Sequence, residues 1–513
     1  MRVVDNRGLL LHVRDPKKIT TAIPNSKHLG GNDVLVKWGV DESRVLSNLN
    51  IRNVPSPILG KYDWVGKYEP FDHQRTTASF LTMNRRAFCF NEQGTGKTGS
   101  AIWASDFLLK EGIINRVLIV CPLSIMDSAW RNDLFNFAMH RTVDIAYGAR
   151  KKRQEIINSG ADYVIINYDG VEIVKEEIAN GGFDLIIVDE ATHYKNANSR
   201  RWKVLNSLLT SETWLWMMTG TPAAQSPVDA YGLAKLVNPK AVPRFFGAFR
   251  EMVMYKITQF KWVPKPNAVD VVFNALQPAI RYTKEQCLDL PEMTYTKREV
   301  ELTAQQNKYY NELKKEMISV AAGEQITAAN AAVNMNKLLQ ISCGAVYTDS
   351  GDTVQFDIKN RYKVLREVID ESSQKVLIFV PFKHVIDLLK EKLNKDGITS
   401  DIICGDVSAQ KRTEIFKRFQ EEEDPRVLII QPQAAAHGVT LTAANTIVWW
   451  GPVPSLETYA QANARVHRSG QKHPCTVVQL QGSSAEKRIY SLLDGRLDVH
   501  TKIIDLYNEI LEI

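Results

Sequence analysis

Short apolar runs recur along the chain, each bounded by polar or glycine-bearing stretches. Ala87-Phe-Cys-Phe90, Val117-Leu-Ile-Val-Cys121, the run near 163 that ends Ile165-Ile166, Leu185-Ile-Ile-Val188 and a run near 214 are continuous rather than alternating. That pattern predicts strands covered on both faces. Helix-compatible stretches such as 98–108 separate them, and the alternation implies a parallel sheet whose ligands meet the strand C-termini. Val376-Leu-Ile-Phe-Val380, Val427-Leu-Ile-Ile430 and Thr446-Ile-Val-Trp-Trp450 predict a second sheet of the same kind. Residues 226–355 read as largely helical, interrupted by proline-rich turns such as Trp262-Val-Pro-Lys-Pro266.

Near the start, Asp33-Val-Leu-Val-Lys-Trp38 alternates as a half-buried strand does, and Val54-Pro-Ser-Pro57 is a breaker. The expected organisation is therefore α/β. Residues 1–65 form a small β-rich module ending in a linker, or else an extension packed on the first lobe. That lobe spans 66–225, helical protrusions 226–355 and a second lobe 356–485. A closing helix at 486–513 braces the second lobe.

Asn91-Glu-Gln-Gly-Thr-Gly-Lys97-Thr98 stands between the run ending at Phe90 and the helix expected from 98. Strand, glycine loop and helix in that order suit a nucleotide phosphate. Gly94 and Gly96 let backbone N–H groups of Gln93 to Thr98 turn inward, and the helix N-terminus adds partial positive charge. Lys97 reaches the β- and γ-phosphates, and Thr98 holds Mg²⁺ through its hydroxyl. Asn91 replaces the usual first glycine of the loop, so the pattern is incomplete, and a plain glycine turn is the competing reading.

Asp189-Glu190 ends the run 185–188. A carboxylate pair at a strand end suits a metal and a hydrolytic water: Asp189 for Mg²⁺, Glu190 as the base. Gln461-Ala-Asn-Ala-Arg465-Val-His-Arg468 sets two arginines at i and i+3, which on a helix share one face, as arginine fingers would. A basic surface stripe is the alternative for Arg465 and Arg468. The presence of a phosphate loop and an acidic pair on the same chain favours the fingers.

Taken in order, these segments and several others resemble the Swi/Snf-type ATPases of helicase superfamily 2, over residues 66–495. Pro70-Phe71-Asp-His-Gln74 looks like the adenine-reading glutamine motif, and Val117 to Ser124 with Trp130 looks like the first DNA-contacting motif. Ile165-Ile-Asn167-Tyr168 resembles its partner, and Thr219-Gly220-Thr221-Pro222 resembles the segment coupling nucleotide to DNA. Arg281-Tyr-Thr-Lys284 with Leu290-Pro291, Leu302 to Tyr310, and Lys337 to Ile341 are similar to segments that separate this family from generic helicases, and Arg465 to Gln471 is close to the family's R-x-H-R-x-G-Q. The resemblance implies two RecA-like lobes with helical protrusions. It also implies ATP-binding roles for Gln74, Gln93, Gly94, Thr95, Gly96, Lys97, Thr98 and Gly438. Coupling falls to Thr219, Gly220, Thr221 and Gln461, and DNA contact to Pro122, Ser124, Asn167, Lys383 and Thr440.

The chain also departs from the family pattern. Thr192 stands where the family has histidine, with His193 beside it. Residues 434–441 keep only the later glycine of A-G-G-x-G-x-N-L, and Trp449-Trp450-Gly-Pro replaces D-W-N-P. The Trp449-Trp450 pair reads equally as the buried end of a strand.

Composition narrows the partners only slightly. The chain has 513 residues and a net charge of +6 from 64 basic and 58 acidic side chains. DNA affinity therefore has to come from local patches such as Arg150 to Arg153, Arg200-Arg201-Trp202-Lys203, and Lys411-Arg412 through Lys417-Arg418, each of which also reads as a solvated helix face. The six cysteines form no C-x-x-C pair, which predicts reduced core residues without disulfides or structural zinc. His140, His384 and His473 lack neighbours at metal spacing. There is no signal-peptide core at the start and no apolar run near the roughly 18 residues of a membrane span, so a cytoplasmic location is expected, that of the host if the protein is viral.

The expected activity is ATP- and Mg²⁺-dependent translocation along duplex or forked DNA by a monomer, with a largely sequence-independent grip on phosphates. The compact chain suggests a minimal viral, prokaryotic or mobile-element motor. Its expected tasks are replication-fork remodelling, annealing, recombination or protein displacement, with replication and recombination proteins as partners. A strand-separating DNA or RNA helicase and an ATP-gated DNA clamp that does not travel are the alternatives.

Overall fold

A computed structural model describes residues 1–220, 222–223, 226–258, 262–287, 290–323, 328–347, 353–434, 439–468 and 470–494; within these, the side chains of 128, 316–334 and 409 are not described. The described residues form two compact units, one within 1–287 and the other within 290–494.

The first unit opens with a four-stranded antiparallel sheet, in the order Arg2–Val4, Gly8–His12, Asp33–Lys37, Lys27–Gly30. Leu9 pairs with Val36 and Leu11 with Val34, so alternate residues of both strands bury on one face. Ile19 and Ile23, Trp38 and Leu46 complete that small core. The breaker at 54–57 is not a linker. Ser56 is buried and bonds Thr82 at 2.7 Å, and Pro55 accepts from the Trp38 indole at 2.9 Å. Ile58 and Tyr62 enter the core of a larger, parallel sheet. Pro57 caps the start of the short helix Ile58–Lys61, and the apolar residues around it have a surface to cover.

That larger sheet has seven strands, all parallel, in the order Ala279–Ile280, Arg86–Cys89, Trp214–Met218, Leu185–Val188, Val117–Cys121, Tyr163–Asn167, Val143–Ala146. Its two faces bury alternate residues. Phe88, Leu118, Val120, Ile186 and Val188 face one core, while Ala87, Cys89, Ile119, Cys121 and Ile187 face the other. Parallel strands put every C-terminal end on one edge, and there the chain leaves Cys89 for the glycine loop, Val188 for Asp189 and Met218 for Thr219.

Two of these strands escape an apolar-run reading. Val143–Ala146 is an edge strand with half-buried positions. Ala279–Ile280 is two residues long and lies in the segment expected to be helical, after helices Ala230–Val237, Phe246–Val253 and Ala268–Ala275.

The second unit is built on six parallel strands, in the order Met293–Glu299, Cys475–Gln481, Ala444–Trp449, Lys375–Phe379, Val427–Ile430, Ser400–Ile403. Its edge strand Met293–Glu299 also comes from the segment read as helical. Its outward residues are exposed or half-buried, so it carries no continuous apolar run. Helices Ala304–Gly323 and Ala328–Cys343 are the long helical elements expected there. Gln306 ties the start of one to the end of the other by donating to the Ile341 and Ser342 carbonyls at 2.9 and 3.1 Å.

A fully buried ion pair, Arg361 to Glu486 at 2.7 Å, lies under strand end Trp450. Both tryptophans of the 449–450 pair are buried, with indole N–H groups spent on Asn463 Oδ1 and the Cys343 carbonyl. Residues 484–494 are helical, and the rest of the expected brace helix lies outside the described residues.

Candidate nucleotide site and nucleic-acid face

The glycine loop is built for an anion. Gly94 and Gly96 adopt φ of +87° and +81°, the left-handed region that side chains resist. A Cβ on Gly96 would also lie 1.9 Å from Gln74 Nε2 and would displace that side chain. Helix Lys97–Lys110 has no side-chain cap at its N-terminus, which leaves its first N–H groups, those of Lys97 and Thr98 among them, to a ligand. Gln93 Nε2 is buried without a hydrogen-bond partner among the described residues. The Glu92 carbonyl organises the turn by accepting from Thr95 N at 3.3 Å, Thr95 Oγ1 at 2.7 Å and Lys97 Nζ at 3.4 Å. This set of donors fits a nucleotide's phosphates.

Gln74 sits against the same loop. Its Nε2 donates to the Thr95 carbonyl at 3.3 Å while its Oε1 accepts from Phe71 N at 2.9 Å. His73 Nε2 lies 2.8 Å from the same Thr95 carbonyl, and burial lowers the pKa of this imidazole.

Asp189 is 8% exposed and comes directly after strand Leu185–Val188. Its carboxylate accepts from the Trp130 indole at 2.9 Å on Oδ2 and from Glu190 N at 3.0 Å on Oδ1. Each oxygen keeps lone-pair capacity for a metal or its water. Burial raises the carboxyl's pKa, opposed by the Lys97 charge and by those two hydrogen bonds. The Asp189 carbonyl accepts from Tyr168 Oη at 2.7 Å. Glu190 is held at φ +47°, a conformation that non-glycine residues adopt sparingly and that recurs at functional sites.

Trp130 and Tyr168 belong to segments that resemble DNA-contacting motifs, and the structure buries both and aims them at Asp189. Trp130 reaches it because Met126–Arg131 is a π-turn, a local geometry that no apolar pattern announces. Thr219 is buried with its N–H on the Cys89 carbonyl at 3.1 Å, and Gly220 packs over Gln93. Thr221 and Gly438 lie outside the described residues. Arg281, in the sequence only part of a family segment, is the residue at the base of the loop whose place no pattern along the chain disclosed. Its guanidinium donates to the Phe90 and Gly220 carbonyls at 2.6 and 3.1 Å and pairs with Glu92 at 3.0 Å.

Comparison with known proteins bears on the same segments. The SNF2-related domain family matches residues 73–345, and the helicase conserved C-terminal domain matches 360–470. The chain belongs to the SNF2-related family. An uncharacterised ATP-dependent helicase of Mycoplasma genitalium is 24% identical over 81% of this chain and 40% of its own length. A Caenorhabditis elegans homologue of SWI/SNF-related matrix-associated actin-dependent regulator of chromatin subfamily A-like protein 1 is 23% identical over 94% of this chain and 70% of its own. Protein p41 of Acyrthosiphon pisum secondary endosymbiont phage 1 is 24% identical over 78% and 88%. The Sulfolobus solfataricus SWI2/SNF2 ATPase core in complex with dsDNA is similar at 21% identity over 86% of this chain and 93% of that one, with a TM-score of 0.42. This chain thus spans about two fifths of the first curated relatives it matches.

The remaining SNF2-type positions divide between buried and exposed places. Helix Leu456–Asn463 ends before Arg465, so the two arginines do not share a helix face. Residues 464–468 turn instead: the Arg465 carbonyl accepts from Leu441 N at 2.9 Å, and Gln471 Nε2 bonds the Val466 carbonyl at 3.3 Å. The bond from Leu441 takes the Arg465 carbonyl that a continuing helix would use. Arg465 is buried, and Arg468 donates to the Val439 carbonyl at 3.1 Å. Gln461 is also buried, 3.3 Å from Glu457 Oε1.

Among the expected DNA contacts, Ser124 and Thr440 are exposed, and buried Pro122 starts the turn Leu123–Ile125. Asn167 Oδ1 accepts from the buried Arg153 at 3.0 Å, which removes Arg153 from any basic patch. Lys383 is ion-paired with Asp406, and Arg200 and Arg201 pair with Glu172 and Asp169 on an exposed helix face. No helix of the described residues is long and apolar enough to cross a membrane.

Proposed function

We propose that this chain is a DNA-stimulated ATP hydrolase that moves along duplex DNA. The observation that carries the reading is that the glycine loop, with its uncapped helix N-terminus, and the buried carboxylate of Asp189 leave the same C-terminal edge of one parallel sheet. Phosphate recognition and a metal-ligating acid thus belong to one site. In this reading the loop N–H groups and Lys97 hold the phosphates, and Thr98 and Asp189 hold Mg²⁺, which would polarise the γ-phosphate. Glu190 takes the proton of the attacking water, and its strained backbone aims the carboxylate rather than leaving it to a flexible loop. Arg465 and Arg468 supply the charge stabilisation of arginine fingers, and Gln74 reads adenine. DNA is gripped at phosphates, with Ser124, Asn167 and Thr440 as contacts. The motion serves replication-fork remodelling, annealing, recombination or displacement of bound proteins.

Steady-state ATP hydrolysis without nucleic acid and with single-stranded, duplex or forked DNA, or RNA, tests this. Strong stimulation by duplex or forked DNA is expected, with loss of about a hundredfold or more in Lys97→Ala. Triplex displacement without release of a strand from a forked duplex is expected alongside. Strand release would favour the helicase reading, and no stimulation by any nucleic acid would end the translocase reading.

A further inference from the structure

The departure of Asn91 from the usual loop glycine has a structural counterpart. Asn91 is 0% exposed and works in both directions, its Nδ2 donating to Thr77 Oγ1 at 2.8 Å and its Oδ1 accepting from Tyr282 N at 3.0 Å. Next to it, Glu92 N donates to the Tyr282 carbonyl at 2.9 Å, and Phe90 N to the Ile280 carbonyl at 2.8 Å. The Glu92 carboxylate accepts from Arg281 on Oε1 and from Lys284 N on Oε2, both at 3.0 Å. Arg281 is itself 1% exposed at the side chain, with its other contacts on the Phe90 and Gly220 carbonyls. Residues 280–284 therefore run along the base of the phosphate loop and bond it through Ile280, Arg281, Tyr282 and Lys284.

We propose that Asn91, Glu92 and Arg281 are positioning residues that clasp the phosphate loop to the segment 280–284, and that this clasp sets nucleotide affinity. Glu92 transmits the effect. Its side chain is fixed from outside by Arg281 and Lys284 N, while its carbonyl holds Thr95 and the Lys97 ammonium inside the loop. Fixing one end of this residue fixes the other, so Lys97 waits in place before nucleotide arrives. Pre-organisation of this kind appears as affinity, because the ordering cost is met on folding rather than on binding. A glycine at 91 supplies none of it: both side-chain bonds vanish and the backbone gains freedom. The clasp segment is also the last stretch of the first unit before the chain enters the second, so nucleotide affinity depends on whether that segment stays docked.

The inference rests on the nucleotide-site reading, and the test separates the two. The full chain is compared with Asn91→Gly, Asn91→Asp, Glu92→Gln and Arg281→Lys. Three quantities are read: the Kd for a fluorescent ADP analogue, the KM and kcat for ATP with duplex DNA, and the Tm without nucleotide. Asn91→Gly, although closer to the usual loop sequence, is expected to raise Kd and KM roughly tenfold through two lost hydrogen bonds, with kcat at saturation within about twofold. Asn91→Asp, which keeps the acceptor for Tyr282 N, should recover part of that loss. Unchanged Kd in both Asn91→Gly and Glu92→Gln overturns the clasp, as does a fall in kcat at unchanged Kd. Should Arg281→Lys fail to fold, the two Asn91 variants and Glu92→Gln still decide. Wild-type protein that binds no ADP analogue would instead defeat the nucleotide-site reading itself.

Discussion

The indole N–H of Trp130, a fully buried side chain, donates to Oδ2 of the largely buried Asp189 at 2.9 Å. A carboxylate buried this way is destabilised in its charged form and needs donors to stay ionised and aimed. Trp130→Phe keeps much of the ring and deletes the donor. The expected result is a fall in kcat of roughly tenfold or more, the worth of one hydrogen bond to a charged acceptor, with nucleotide affinity nearly unchanged. Stopped-flow single-turnover hydrolysis at saturating ATP would check it, and a wild-type rate would mean that Glu190 N alone holds the carboxylate.

His73 gives the site a pH dependence. Burial lowers its pKa below the ordinary imidazole value of about 6.5, so the unfolded chain takes up the proton first as pH falls. The stability that neutral His73 contributes is therefore fully present above about pH 6.5 and is lost as pH falls toward the lower folded-state pKa. Between about pH 7.5 and about pH 5.5 the Tm of wild type should fall more steeply than that of His73→Gln. Parallel slopes would assign the acid sensitivity to other groups.

Gly232 is a packing requirement beside the turn that follows Glu190. A Cβ there would lie 2.2 Å from the Lys195 carbonyl oxygen and 2.6 Å from that of Tyr194. Neither can yield without moving the turn just after Glu190. Gly232→Ala should cost about 1–3 kcal/mol of stability and lower turnover as well. Thermal melting together with hydrolysis rate would show both, and an unaffected Tm would mean that the helix over 230–237 shifts freely.

In the second unit, Glu486 holds Arg361 through Oε1, and through Oε2 accepts from Gly482 N and Ser483 N at 2.8 Å each. Glu486→Ala strands a buried guanidinium, with an expected loss of about 3–5 kcal/mol. The loss should appear in denaturant unfolding of the full chain and leave the affinity for ADP in place, since the phosphate loop and its clasp belong to the first unit.

Arg465→Ala and Arg468→Ala test the arginine-finger assignment. Each should reduce DNA-stimulated turnover by about a thousandfold or more at near wild-type Tm. A large drop in Tm would show that the buried Arg465 and the Arg468 bond to the Val439 carbonyl serve the fold of that turn.

Much of the core was legible because it rests on local chemistry. Continuous apolar runs announced strands Arg86–Cys89, Val117–Cys121, Leu185–Val188, Lys375–Phe379 and Val427–Ile430. Each is buried on both faces, and only apolar residues at successive positions allow that. Edge strands Val143–Ala146, Ala279–Ile280 and Met293–Glu299 stayed hidden, because partial exposure or brevity leaves no such run. The helix expected under Arg465 and Arg468 failed for a different reason, since the bond from Leu441 N to the Arg465 carbonyl joins residues far apart in sequence.

The sequence by itself determined the parallel α/β architecture, the glycine loop with its lysine, and the acidic pair at a strand end, because each is a pattern of neighbours along the chain. Only the tertiary structure decided that Trp130 and Tyr168 serve Asp189, that Asn91 is a clasp rather than a defective glycine, and that Arg281 closes the phosphate loop from 189 residues away. Those contacts depend on which strand ends come to lie side by side, and no spacing between residues records that.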